Sequence, residues 1–129
     1  EAWMNRDKPA SFDNGMTRQI AGMDKITHAF VPTMEVTSAD LDTALDNMSK
    51  FSFVGLQETF PESLEYMANL FGWKNIPRYK NFNVVPNRVH FDQVTEEERI
   101  ILREHNKYDL TLFGSAVVLN TNFLRKETK

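Results

Sequence analysis

Apolar residues recur at helical spacing in four stretches of the chain and bunch together in one more. Over residues 14–23, Met16, Ile20 and Met23 share one stripe, which predicts a short helix capped by Asp13 or Asn14 and ended or loosened by Gly22. Leu41, Ala44, Leu45 and Met48 repeat in the same way and predict a second helix from Ser38 to about Lys50. Thr37 or Ser38 can cap it, and Asp40 and Asp42 suit the positive end of its dipole. Phe60-Pro61-Glu62-Ser63 opens a third, with proline in the first turn, an apolar face of Leu64, Met67, Leu70 and Phe71, and Gly72 as the stop. Thr95 and Glu98 form a capping box for the last. Its stripe runs from Ile100, Ile101 and Leu102 through Tyr108, Leu112, Phe113, Ala116 and Leu119 towards Phe123. Asn and Asp compete for backbone hydrogen bonds, which predicts a break near residues 106–109.

Residues 51–55, Phe-Ser-Phe-Val-Gly, are aromatic and β-branched and close at a glycine, so they read as a buried strand. A lone strand cannot satisfy its own backbone groups. Its neighbours are therefore expected in sequence upstream of Glu1, and the chain, which starts at a glutamate, reads as a truncated piece. Residues 1–10 form an irregular lead-in, residues 24–37 a loop interrupted by Pro32, and residues 73–91, with two prolines and four asparagines, a long ordered loop.

At 129 residues with 41% hydrophobic and 26% charged, the chain has room for one core. Residues 1–129 are read as a single domain. The longest apolar runs, such as residues 116–119, are a few residues where a membrane span needs about 20. There is no cysteine, which excludes disulfides, thiolate metal sites and cysteine nucleophiles. With no signal-peptide pattern in residues 1–10, this fits a reducing, cytoplasmic compartment. A net charge of -3 gives no global footprint for nucleic acid.

Charge is nevertheless uneven. Residues 73–91 hold Lys74, Arg78, Lys80 and Arg88 and no acid, which leaves eleven basic against eighteen acidic residues elsewhere, a net -7. Such a loop either grips an anion, as arginine does with two parallel bonds, or is a solvated surface loop. Asn14, Thr17, Arg18 and Gln19 crowd polar groups at the start of the first helix, as either ordinary capping or an anion site. His28, His90 and His105 have no metal-ligand spacing, and neither GxSxG nor GxxxxGK[ST] occurs. The acidic run at residues 96–98 is accounted for by helix capping.

Four stretches in order resemble the carboxyl-terminal half of a sulfotransferase: DNGMTRQIAG (13–22), FSFVGLQETFPESLEYMANLFGW (51–73), RYKNFNVVPNR (78–88) and EERIILREHNKYDLTLF (97–113). The most similar group is that of the carbohydrate 2-O-sulfotransferases, which use 3′-phosphoadenosine 5′-phosphosulfate (PAPS). The resemblance implies an α/β fold: the mostly helical carboxyl-terminal part of a P-loop-like sulfotransferase fold, with about one core strand (51–55) and four helices. It implies in-line sulfuryl transfer to the hydroxyl of a carbohydrate or other acceptor, without a metal, by positioning and charge stabilisation. Carried over by position, Arg88, Asn83 and Asn87 belong to the loop that closes over the nucleotide, with Lys80 as an auxiliary cation. Asn14, Arg18 and Gln19 line the acceptor side or the approach to the sulfuryl group. The family's PKTGGTS-like phosphosulfate loop has no counterpart here and would lie upstream, so the chain is expected to be inactive alone. The other reading is a non-catalytic helical binding or interaction module that lacks the nucleotide cradle.

Overall fold

A computed structural model describes residues 13–23, 35–76, 79–80 and 90–127. Among the described residues five α-helices follow in order: α1 (Gly15–Ala21), α2 (Ser38–Ser49), α3 (Phe60–Phe71), α4 (Glu96–His105) and α5 (Lys107–Glu127), with a 3-10 turn at Phe91–Gln93. Their ends are set by local chemistry. The Thr37 amide and hydroxyl both donate to Asp40 Oδ2, at 2.8 and 2.6 Å, at the start of α2. Thr95 and Glu98 do the same for α4, where the Glu98 amide donates back to Thr95 Oγ1 at 3.2 Å. Gly22 and Gly72 close α1 and α3 at φ 76° and 65°, a left-handed geometry that glycine adopts without cost to a Cβ.

The expected break at residues 106–109 falls on Asn106, whose amide donates to Leu102 O and whose own carbonyl accepts from Leu110. The last stripe is therefore two helices, giving five where four were expected. The strand expected at residues 51–55 is a correction: no strand occurs among the described residues. Phe51 N donates back to Met48 O at 3.1 Å. The Val54 carbonyl accepts from Asn120 Nδ2 at 2.9 Å. A side chain from α5 thus satisfies one carbonyl of the segment. Residues 52–56 make no backbone–backbone hydrogen bond among the described residues.

Ala44 and Met48 of α2 and Leu112 and Ala116 of α5 are buried together, and Ile20, Leu41, Leu45, Val54 and Leu119 pack against them. The core is thus α1, α2 and α5, with the 51–56 connector laid over one end. Phe53 stacks on Tyr66 of α3 at 4.7 Å and meets Phe123 of α5 edge-on at 5.6 Å, which ties α3 to the same helix. Among the described residues no helix is long and apolar enough to cross a membrane.

The two capping carboxylates give the fold an acid-sensitive feature. The Thr37 hydroxyl, then the Thr37 amide, hold Asp40 below its ordinary value. The Thr95 amide, then its hydroxyl, do so for Glu98. Because both folded values are depressed, the caps contribute fully above the unfolded values and are lost as pH falls through the folded ones. Titrated by NMR, the Thr37 and Thr95 amide shifts should report midpoints below the ordinary Asp and Glu range. Midpoints at the ordinary values would show that these caps do not form.

Candidate functional site

The polar crowd at the start of α1 is part of a reciprocal cap between two helices remote in sequence. Asn14 has φ 53°, a left-handed conformation that asparagine tolerates better than most residues. Its Oδ1 accepts from the amides of Tyr108 and Asp109 at 2.9 and 3.2 Å, the first turn of α5. Asp109 answers in the opposite direction. Its carboxylate accepts from the amides of Met16 and Thr17, at 3.0 and 2.7 Å, and from the Thr17 hydroxyl at 2.7 Å. Each helix start supplies the oxygen that satisfies the other's free amides, and one carboxylate lies at two positive helix ends. Asn14 N adds a bond of 3.3 Å to Asn106 Oδ1. A seven-residue helix is not stable by itself; this knot docks its start on α5, while Ile20 packs into the core and Asn47 Nδ2 of α2 donates to the Ile20 carbonyl at 3.0 Å.

Arg18, 2% exposed, folds back on the turn before α1. Its Nε donates to the Asp13 carbonyl at 2.8 Å and its guanidinium lies 3.6 Å from the Asp13 carboxylate. Asn14 Nδ2 donates to that same carboxylate at 3.1 Å. The structure therefore gathers Asn14 and Arg18 around Asp13, while Gln19 is exposed on α1. Lys80 is exposed, and Asn83, Asn87 and Arg88 lie outside the described residues.

Beside the knot is an open cavity of about 470 Å³ between α1, α2, α5 and the 51–58 connector. Met16, Ile20, Met48, Phe51, Phe113 and Ala116 make its walls largely apolar, and Gln57 and Glu58 add polar groups. Met16 joins the two features, since its amide belongs to the knot and its side chain to the cavity. Among the described residues no Lys or Arg lines the cavity. Its described lining suits an apolar body. Among the described residues no cluster of His, Asp or Glu could hold a metal ion.

Asn120 carries a role that sequence reasoning missed. Buried on α5, it donates from Nδ2 to the Val54 carbonyl and to Ser63 Oγ at 2.9 and 3.2 Å, and accepts from the Thr59 hydroxyl at 3.0 Å. It fixes the connector and the start of α3 together. The signal was present as one amide on the buried face of α5, two turns past Leu112 and one past Ala116. Asp109 was equally visible, three residues before Leu112 on that face. Comparisons with family models, with curated proteins and with solved structures find no match to this chain.

Proposed function

We propose that this chain is the acceptor-side and nucleotide-closing part of a sulfotransferase that moves a sulfuryl group from PAPS to an acceptor hydroxyl, and that it is inactive without a phosphosulfate loop supplied by further sequence. One observation carries this reading beyond the resemblance. Residues 52–56 lie between α2 and α3, where a parallel strand would sit, and their amides donate no hydrogen bond among the described residues. None of these five residues is buried, and unpaired backbone of this kind offers an edge to which another strand can add, which fits a piece whose sheet partners lie in other sequence. The apolar cavity along it would form the acceptor wall, and Asn14, Arg18 and Gln19, which do not line that cavity, would act on the acceptor side from the adjoining start of α1. Arg88, with Asn83, Asn87 and Lys80, would close over the nucleotide and supply cations for its phosphates.

A helical binding module without catalysis is the second reading, and a specific observation favours it. Asn14, Arg18 and Asp109 already satisfy one another's helix ends and turns, as they would in a bundle that needs no ligand. Calorimetry separates the two. The product of the full reading frame, including whatever precedes Glu1, is titrated with 3′-phosphoadenosine 5′-phosphate. On the sulfotransferase reading it binds saturably, and Arg88→Ala weakens binding by about 1.5 to 3 kcal/mol, the size of a charge-assisted bond. A stable product with no heat of binding favours the module. Unchanged affinity in the variant removes Arg88 from the site.

A further inference from the structure

The reciprocal cap contains the one asparagine in the sequence that is followed by glycine, Asn14 before Gly15. Such a pair can react with itself. The Gly15 backbone nitrogen, its proton taken by solvent base, attacks Asn14 Cγ. The new N–Cγ bond forms as the Cγ–Nδ2 bond breaks, ammonia leaves, and a five-membered succinimide remains. Water then opens the ring at one of its two carbonyls, giving aspartate or an isoaspartate whose backbone runs through Cβ. Glycine favours the attack because it presents no Cβ to hinder the approach.

The fold opposes each part of this step. At ψ 48° the Cβ of Asn14 stands close to anti to the Gly15 nitrogen across the Cα–C bond, whereas ring closure needs the two nearly eclipsed. The carboxamide is also tied down, with Oδ1 accepting from Tyr108 and Asp109 and Nδ2 donating to Asp13. The residue is 4% exposed, so base and water reach it only when α1 lifts from α5. We propose that Asn14 is a deamidation site kept shut by the cap, and that its conversion is a one-way release of α1. Aspartate at position 14 would replace the Nδ2 donor, 3.1 Å from Asp13 Oδ1, with an acceptor facing an acceptor. Isoaspartate would insert a methylene into the backbone between the two caps. Either product weakens redocking.

The test follows deamidation at Asn14 by peptide mass spectrometry, with the full chain held in mildly alkaline buffer and, in parallel, in guanidinium chloride. A reaction that proceeds only through an opened state is slowed by the opening equilibrium, so the native rate should be roughly tenfold or more below the denatured rate. Asp109→Ala, which removes the other half of the cap, should raise the native-buffer rate towards the denatured one, whether it folds loosely or not at all. Equal rates in the two buffers for the unaltered chain would overturn the proposal. So would an Asn14→Asp chain with the same melting temperature as the unaltered one, since conversion would then release nothing.

Discussion

Asp109→Ala should destabilise the chain by about 3 kcal/mol or more and loosen the start of α1 from α5. The carboxylate satisfies two backbone amides and the hydroxyl of Thr17, which is fully buried. A charge-assisted hydrogen bond contributes about 1.5 to 3 kcal/mol, and a donor left buried without an acceptor costs about 1 to 3 kcal/mol. These do not add, because α1 can partly lift and let water reach its amides. Asp109→Asn keeps one acceptor oxygen and should recover part of the loss. A double-mutant cycle with Thr17→Val isolates the coupling, since each single change breaks the same 2.7 Å bond. Denaturant unfolding reads the stability, and α1 amide signals read the release. A loss below about 1 kcal/mol, within the range of an ordinary exposed cap, would show that the knot does not hold α1.

Leu112→Ala should cost about 2 to 5 kcal/mol, the usual range for truncating a buried leucine. Leu112 is 1% exposed and sits among Ala44, Met48 and Ala116. Two of those neighbours are alanines, which have no side chain long enough to fill the space. Met48 is the flexible group that can move in, so Met48→Leu in the Leu112→Ala background should deepen the loss. Because Leu112 also lines the cavity, the truncation should enlarge it. Denaturant unfolding of the two variants checks both statements. A cost within 0.5 kcal/mol of zero, typical of exposed positions, would place Leu112 outside the core.

The parts of this fold that were legible in the sequence are those decided within one turn. Thr37 with Asp40, Thr95 with Glu98, and the glycines at 22 and 72 act on backbone groups three or four residues away, and each stands where the residue pattern puts it. The break at Asn106 was legible for the same reason. Residues 51–55 were not, because a short aromatic run becomes a strand only when another strand supplies its hydrogen bonds. Here the Val54 carbonyl is instead taken by Asn120, 66 residues away. The polar crowd at Asn14 and Arg18 was visible as a crowd, but its geometry depends on Asp109, more than 90 residues distant. No spacing rule connects residues that meet only after the bundle closes.

That α1 carries Asn14 and Arg18 while an apolar cavity runs beside it accords with an acceptor wall and equally with a self-contained bundle. The connector is where the two readings part. Hydrogen exchange at the amides of Ser52, Phe53, Val54, Gly55 and Leu56, measured on this chain and on the product of its full reading frame, is the most direct test. The sulfotransferase account predicts rapid exchange at all five in this chain, where they have no acceptor among the described residues, and strong protection in the longer product. Slow exchange in this chain, or rapid exchange in both, would contradict it.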